Sequence, residues 1–196
     1  MQKYYYSSGE LLEMVKYQNG KEFGKQEKYY KDGQLLEFCY FEDGKVNGSF
    51  KSYHNNGKLN RIGKHHQGYS TGEWKTYYDN EQLKEQVTYE SGKRTGIYKS
   101  FYVNGQLNLI GEYVNGKSHK EWRSHHENGM AQLVVQYVNG TIEGKFIEYY
   151  DNGNILRIGN YKRGEEDGEW KYFKENNQLD YIRLWEDGLT IETILK

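Results

Sequence analysis

Residues 144–167, GKFIEYYDNGNILRIGNYKRGEED, contain the features that decide the fold. Two runs of apolar and aromatic residues lie on either side of Asn152-Gly153 in this stretch. An Asn-Gly pair between apolar runs is typical of a β-hairpin, because both central positions of a type I′ turn require positive φ. The stretch therefore predicts two antiparallel strands joined by a tight turn.

The stretch recurs along the chain with a period of 24 residues and without an insertion. One glycine slot is filled in all eight recurrences: Gly20, Gly44, Gly68, Gly92, Gly116, Gly140, Gly164 and Gly188. Three residues before each of these glycines lies a ring: Tyr17, Phe41, His65, Tyr89, Tyr113, Tyr137, Tyr161 and Trp185. A fixed period of roughly 20 to 50 residues is typical of stacked repeat architectures, so a repeat protein is predicted.

A second turn separates each hairpin from the next, for example at Asn115-Gly116 and Asn139-Gly140. Because tight turns end every strand, the chain is expected to run up and down, with about sixteen short strands. The sequence contains no proline and no segment with the apolar period of a helix, so no other structure is favoured over strands. The sequence predicts an all-β fold, an elongated, twisted, single-layer antiparallel β-meander built from eight 24-residue hairpin repeats.

The repeat boundaries predict one repeat domain over residues 1–196. We expect a partial unit at residues 1–23, seven 24-residue units over residues 24–191, and a C-terminal tail at residues 192–196. The exposed sheet edge at either end, or the apolar tail, could pair with a second copy, which makes a homodimer one expected assembly.

A finer pattern with a period of 48 residues shows that two units were duplicated together. Trp74, Trp122 and Trp170 alternate with Phe50, Tyr98 and Phe146, while Gly63, Gly111 and Gly159 alternate with Val87 and Val135. Glycine inside a strand normally marks a bend or the close approach of a neighbour. We therefore predict that an aromatic ring from the adjacent strand covers each of these glycines, and that the sheet coils.

Departures from the repeat are concentrated in the fifth full unit, where Lys120 replaces glycine, His125 replaces a larger ring and Ala131 replaces leucine. Two further departures occupy the turn-glycine slot, Glu81 and Asn177. That slot favours residues that tolerate positive φ, so Glu81 predicts a turn of a different kind.

The composition favours order through aromatic residues. Only 35% of the residues are hydrophobic and the mean hydropathy is -1.08, but 16% are aromatic, including 21 tyrosines. The net charge of -1, with both signs interleaved, argues against nucleic acid as a partner and makes a membrane surface an unlikely one. With one cysteine, Cys39, no internal disulfide is expected.

The start of the chain lacks the apolar run of a signal peptide. We expect a cytoplasmic protein if Met1 is the natural start, and an exported one if a signal peptide was removed.

No residue pattern in the sequence indicates catalysis. Residues 111–118, GEYVNGKS, match a phosphate-binding loop in letters, but the helix that the motif needs is not predicted after them. Histidine pairs at 65–66 and 125–126 fall at or beside slots where other units carry aromatic rings, so they are interpreted as ring substitutes rather than metal ligands. Cys39 stands where other units place valine or glycine and is interpreted as a small buried residue. We expect no catalytic residues, no cofactor and no metal.

The combined motif G-x-W-x-x-Y-Y-x-N-G-x-L followed by Y-x-x-G-K resembles the MORN-repeat variant of bacterial proteins, several of which are antitoxin components of toxin–antitoxin systems. The resemblance covers nearly the whole chain. It implies a twisted single-layer sheet and a non-enzymatic module that binds another protein, with neutralisation of a cognate toxin as one form. The alternative is a cell-surface or membrane-associated module that binds glycans or lipid headgroups through its aromatic ribbon.

Aromatic residues are expected on both faces of the sheet, because alternate residues of a strand point to opposite sides. In G-x-W-x-x-Y-Y the tryptophan shares a face with the second tyrosine, and the first tyrosine points the other way. A single layer cannot bury both faces against itself, and exposed apolar surface usually marks an interaction site. The candidate partner-binding residues are Trp74, Trp122, Trp170, Tyr77, Tyr78, Tyr102, Tyr149, Tyr150, His125 and His126.

Overall fold

The computed structural model describes residues 1–195, and over this range it contains only β-strands, turns and short connections. Within these residues there is accordingly no helix of the length and apolarity needed to span a membrane. The prediction of an all-β antiparallel fold made of hairpin repeats is confirmed.

The chain divides into two compact units, unit 1 at Met1–Arg94 and unit 2 at Thr95–Lys196. The strands of unit 1 are β1 Gln2–Tyr5, β2 Leu11–Val15, β3 Tyr17–Gln18, β4 Lys21–Glu22, β5 Gly24–Tyr29, β6 Leu35–Glu42, β7 Lys45–Val46, β8 Gly48–Tyr53, β9 Leu59–His66, β10 Tyr69–Tyr77 and β11 Leu83–Glu90. The boundary between the units falls inside β12 Lys93–Phe101. The strands that follow are β13 Leu107–Val114, β14 Lys117–His125, β15 Ala131–Val138, β16 Thr141–Tyr149, β17 Ile155–Lys162, β18 Glu165–Phe173, β19 Leu179–Glu186 and β20 Leu189–Leu195.

Each long strand pairs antiparallel with the next long strand in sequence, from β8 to β11 in unit 1 and from β12 to β20 in unit 2. Residues 192–195 of the expected C-terminal tail belong to β20, which pairs with β19, and Lys196 lies outside the described residues. This up-and-down order places equivalent residues of successive repeats side by side.

The two turns of each repeat differ in conformation, which corrects the prediction of type I′ turns at both. The second turn is of type I′, since both central residues have positive φ, for example 51° at Asn115 and 83° at Gly116. At Asn56-Gly57 only the glycine has positive φ, 79°, and the Gly57 N–H donates to the His54 carbonyl at 2.9 Å. This first turn is a type I turn followed by a left-handed glycine.

Glu81 does not produce the different turn that its sequence predicted. Its φ is 72°, and its N–H donates to the Tyr78 carbonyl at 3.0 Å, as the glycine does in the other repeats. The neighbouring hydrogen bond from the Tyr78 N–H to the Gln82 carbonyl is also retained. The surrounding hairpin therefore imposes the left-handed conformation on a residue that rarely adopts it.

The prediction that a ring covers each strand glycine is confirmed, and the ring is a tryptophan in every case. A Cβ atom built on Gly63, Gly111 or Gly159 would overlap the indole ring of Trp74, Trp122 or Trp170 respectively. Each indole lies above the strand that precedes its own. Where the slot holds valine instead, as at Val135, the ring opposite on the following strand is the smaller Phe146.

The rings form the core of each unit. In unit 2 the buried residues Trp122, Val135, Phe146 and Trp170 form one cluster, and the ring centroids of Phe146 and Trp170 lie 5.3 Å apart. In unit 1 Phe50 and Trp74 lie 5.4 Å apart. Offset or edge-on contacts at such distances stabilise aromatic pairs beyond the area they bury.

Candidate partner-binding surface

The two faces of the sheet carry different chemistry. We call the face that carries the tryptophans the ring face, and the opposite face the outer face. Opposed residues of paired strands point to the same side, so Trp122 and Val135 share the ring face with each other, whereas Arg123 and Val134 lie on the outer face. Between the β-bulges that shift the register, the alternation of strand residues assigns the other strand positions in the same way.

The three tryptophans proposed as binding residues are in the core rather than on the surface. The exposed fraction is 2% for Trp74, 6% for Trp122 and 0% for Trp170. Each indole is held between the glycine below it and the rings beside it, because the glycine leaves room for a large flat group. These three residues stabilise the sheet, and their surfaces are not open to a partner.

The second ring of each aromatic pair connects one repeat to the next. The hydroxyl of Tyr102 donates to the carbonyl of His125 at 2.7 Å, and that of Tyr150 donates to the carbonyl of Phe173 at 2.9 Å. In the same slot Nε2 of His126 lies 3.1 Å from the carbonyl oxygen of Tyr149. Histidine thus replaces tyrosine as a hydrogen-bonding ring. We call this interaction the ring bridge.

Tyr78 occupies one of the ring-bridge slots of unit 1. The Lys84 ammonium lies 5.3 Å from its ring centroid. His54, one repeat earlier, places Nε2 at 2.9 Å from the carbonyl oxygen of Tyr77. The four candidates in this slot, Tyr78, Tyr102, His126 and Tyr150, are half-buried, so only part of each ring is available to a partner.

The turn asparagines form a second connection between repeats. Oδ1 of Asn128 accepts from the N–H of Met130 at 2.9 Å, and its Nδ2 donates to the carbonyl of Asp151 in the next repeat. Asn104 makes the corresponding pair of bonds to Gln106 and Glu127. Asparagine at this position therefore stabilises the turn through the hydrogen bonds of its side-chain amide, since its own φ is not positive.

Three of the predicted residues, Tyr77, His125 and Tyr149, are the first rings of their pairs and lie half-buried on the outer face. Tyr77 lines a hollow together with Lys51, Ile62 and Lys75. These first rings, rather than the tryptophans, remain candidates for contact with a partner.

The outer face carries the same shallow hollow three times at intervals of 48 residues. The first, in unit 1, has a volume of about 490 Å³ and is floored by Ile62 and Gly63. The second and third, in unit 2, have volumes of about 370 and 250 Å³ and are floored by Ile110 with Gly111 and by Ile158 with Gly159. The hollows lie behind the glycines that the tryptophans cover.

A charged pair lines each hollow. In the first, Nζ of Lys75 lies 2.7 Å from Oε2 of Glu73, and this hydrogen bond lowers the pKa of Glu73 and raises that of Lys75. The equivalent pairs are Arg123 with Glu121 and Lys171 with Glu169. Both members of each pair are substantially exposed, so these pairs add little to stability.

The first hollow also contains two lysines without an acidic partner. Lys51 and Lys64 line it, and no carboxylate within residues 1–195 lies within ion-pair distance of either ammonium. With Lys75 balanced by Glu73, the hollow carries an excess of positive charge beside the aliphatic side chain of Ile62. Such a surface suits a partner with an apolar contact flanked by acidic groups.

Sequence reasoning missed Lys51 and the basic residues equivalent to it on the outer face. The signal was a basic residue directly after the core ring, present at Lys51, Lys75, Lys99, Arg123 and Lys171. Alternation along the strand places that residue opposite the core ring, hence on the outer face.

The remaining titratable candidates have structural positions. Cys39 is buried and its Sγ lies 3.3 Å from Oε1 of Gln26, and burial raises the pKa of this thiol to about 11, so it stays protonated near neutral pH. The ring centroid of His65 lies 4.9 Å from that of Trp74.

Across residues 1–195 no three His, Cys, Asp or Glu side chains are grouped to hold a metal ion. Residues 117–125, which follow the phosphate-loop-like motif, form the strand β14 instead of a helix.

The family comparison agrees with this repeat geometry. The family model described as MORN repeat variant matches residues 1–19, 46–66, 70–91, 94–115, 142–163 and 166–187. The unmatched stretch between 116 and 141 contains the departures Lys120, His125 and Ala131. A search of curated proteins gave no match. Since the matched segments cover more than half of the residues, the chain belongs to the MORN repeat variant family.

Proposed function

We propose that this MORN repeat protein is a non-enzymatic module that binds another protein through its outer face. The observation that carries the proposal is the hollow repeated three times on that face, each with an aliphatic floor and charged walls. Within unit 2 the two hollows can contact an extended partner at two points, and the contacts then act together.

Aliphatic side chains make up the apolar part of the outer face in unit 2. Ile110 and Val134 lie half-buried on the outer face of unit 2, on either side of Arg123. Ile97, which is 53% exposed, lines the second hollow with Ile110. Half-buried aliphatic groups surrounded by charges resemble the core and rim of protein interfaces. The ring face offers less, because its largest side chains are already buried against each other.

Neutralisation of a toxin by occlusion is the form of binding that we favour, with the family resemblance as its support. In that form the partner would be a protein that places acidic residues on Lys51 and Lys64 and an apolar residue on Ile62. A cytoplasmic location is part of this proposal.

The test is a tagged pull-down from a lysate of the producing cell, followed by calorimetry with the purified captured protein. The test variant is Lys51→Glu with Lys64→Glu on the outer face. The control is Lys45→Glu with Lys93→Glu, which makes the same charge change at the second turns. We expect the test variant to lose binding and the control to retain it.

Equal binding by both variants would show that the partner binds another surface. Equal loss of binding would show that the change in net charge causes the effect. Retention of vesicles or glycans in place of a protein would replace the proposal with the surface-module alternative. A second copy of the chain as the captured protein would identify the homodimer.

A further inference from the structure

The last full hairpin, β18 with β19, departs from the repeat at four ring-face positions at once. Tyr172 stands where most earlier units have serine or threonine, Arg183 stands where they have glycine, valine or Cys39, and Trp185 stands where most have tyrosine. Tyr181 completes the group and stacks on Tyr172, with ring centroids 4.4 Å apart and an interplanar angle of 14°. The four side chains therefore form one cluster.

Arg183 lies at the centre of this cluster. Its guanidinium carbon is 5.4 Å from the Tyr172 ring centroid, 5.2 Å from that of Tyr181 and 5.9 Å from that of Trp185. Its Nε is buried and has no hydrogen-bond partner. No carboxylate within residues 1–195 reaches ion-pair distance of Arg183. A buried charged donor without an acceptor is unfavourable, and because the side chain as a whole is only half-buried, the other guanidinium nitrogens are candidates for binding a ligand.

Arg157 in the same unit provides an internal comparison. It also lies over aromatic rings, 4.9 Å from the centroid of Phe146, but its guanidinium is paired. Its Nε donates to Glu148 at 2.6 Å and its Nη1 donates to Glu166 at 3.3 Å. Arg157 therefore has two carboxylate partners, whereas Arg183, which also lies over aromatic rings, has none within residues 1–195.

Further donors surround Arg183. Nε1 of Trp185 is buried without a hydrogen-bond partner, as are those of Trp74 and Trp122. Nε1 of Trp170 donates to the carbonyl of Asn160 at 3.1 Å. Thr193 lies opposite Arg183 and Thr190 opposite Trp185 in the β19–β20 ladder, so both hydroxyls point to the same face. The cluster thus combines one cation with several donors, and the carboxylate that acts on Tyr172, Glu166, is already bonded to Arg157.

Arg61 in unit 1 has a similar unpaired Nε, but its surroundings differ. It lies opposite Ser52 and Thr76, and the residues paired with these on their other sides are Glu37 and Glu85. The row of Arg61 therefore contains two carboxylates, which pair with Lys28 and Arg94. The row of Arg183 runs through Trp170 to Thr193 without an acid.

We propose that Arg183, with Trp185 and Thr193, forms a binding site for a carboxylate group. A planar carboxylate accepts two parallel hydrogen bonds from the guanidinium fork, and one negative charge balances one arginine. The rings of Tyr172 and Tyr181 hold the guanidinium in place and exclude water from one side, which strengthens the pair. The carboxylate can come from a free organic acid or from an acidic side chain of a peptide. The site lies on the ring face and is independent of binding at the outer face.

The test follows the arginine Nε–H and the tryptophan indole N–H signals by nuclear magnetic resonance while sodium acetate is added to the full chain. Sodium chloride at the same ionic strength is the control. We expect saturable shifts of the Arg183 and Trp185 signals, with the Arg157 and Trp170 signals unchanged. A blocked Gly-Glu-Gly peptide in place of acetate separates the two sources: tighter binding of the peptide identifies a side chain, and equal binding identifies a free acid.

Two variants check the assignment. Arg183→Val places the residue of other repeats in the slot and should abolish the Trp185 shift, while Arg183→Lys keeps the charge but loses the fork and should weaken binding about tenfold. Equal shifts with chloride, or phosphate binding as tightly as acetate, would overturn the carboxylate assignment. An unchanged Trp185 shift in folded Arg183→Lys would do the same.

Discussion

Gly159 and Trp170 illustrate how two residues on adjacent strands determine each other. The indole occupies the volume that a side chain at 159 would need, and Trp170 becomes fully buried as a result. At Val135 the slot is filled by its own side chain, and the following ring is Phe146. Tryptophan over glycine and phenylalanine over valine are thus two ways to fill the space between adjacent strands. Close-packed protein interiors require that this space be filled.

Lys120 is the only non-glycine residue at the glycine slot that opens each full unit, and its φ is 59°. We predict that Lys120→Gly raises the free energy of unfolding by about 0.5–1 kcal/mol, because the left-handed penalty exceeds the entropy that glycine loses. The lost ion pair with Glu112 is exposed and offsets little of this gain. Urea denaturation measures the change.

Lys117→Gly is the matched control for that prediction. Lys117 has no positive φ, and its side chain would contact a Cβ at Gly140. The control should lose about 0.5–1 kcal/mol, as glycine does within a strand. Equal destabilisation in both variants would show that the strain at Lys120 is absent.

His65 gives unit 1 a dependence on pH. Desolvation, with a smaller contribution from Arg61, lowers the pKa of His65 below its ordinary value of 6.5. The unfolded chain then binds the proton more readily than the folded chain, so stability falls as the pH drops through and below 6.5. We predict a lower melting temperature over that window, measured by circular dichroism.

His65→Tyr is the control for this pH dependence, because tyrosine fills the same slot at Tyr89 and Tyr113. The substituted chain should lose the decrease in melting temperature just below pH 6.5. A decrease of the same size in the variant would assign the effect to another group.

At the scale of elements, hairpins are joined by side chains as well as by strand pairing. In several repeats a turn asparagine and a ring bond to main-chain carbonyls of the next hairpin, as Asn128 does to Asp151 and Tyr150 does to Phe173. The second-turn glycine adds a third bond, for example from the Gly140 N–H to the Ser118 carbonyl at 2.8 Å. Three kinds of bond therefore fix the spacing between neighbouring repeats.

The adjacent residues Tyr149 and Tyr150 separate stability from binding. We predict that Tyr150→Phe lowers the free energy of unfolding by about 1 kcal/mol, because it removes the part-buried bond to the Phe173 carbonyl. Tyr149→Phe should leave stability nearly unchanged, since the Tyr149 hydroxyl has no hydrogen-bond partner within residues 1–195. Chemical denaturation followed by tryptophan fluorescence compares the two, and the reverse order would contradict this assignment.

The strands and their order were predictable because glycine, ring and turn residues recur at fixed spacing. The ring over Gly111 was predictable as well, since glycine in a strand requires a reason. The first turn was not, because Asn56 and Asn115 look alike in sequence although one serves through its amide and the other through its φ. Burial of Trp122 was also missed, since periodicity assigns a face to a side chain but not its exposure.

At the scale of the molecule, the period of 48 residues limits which repeats can be neighbours. We predict that deletion of residues 112–159 leaves a folded chain, because Gly111 then lies beneath Trp170 as Gly159 does now. The shorter deletion of residues 136–159 places Val135 beneath Trp170 and should be less stable by about 1–3 kcal/mol from overpacking. Thermal unfolding of the two chains gives the comparison.

Trp170→Phe in the chain that lacks residues 136–159 serves as the rescue, since it recreates the pairing of Val135 with Phe146. Recovery of stability would confirm that volume sets the order of repeats. If the chain that lacks residues 136–159 is already the more stable of the two, stability follows the number of repeats instead.

The hydrogen bonds of the ring bridge and the turn asparagines end on main-chain carbonyls, which every amino acid provides. A newly copied pair of units would therefore find its acceptors ready, whatever side chains its neighbours carried. Gene segments of 48 codons could be gained by unequal recombination without any compensating mutation, while segments of 24 codons would bring a tryptophan over a valine. The tryptophan–glycine pair thus sets the smallest step by which such a gene can lengthen and still encode a well-packed protein.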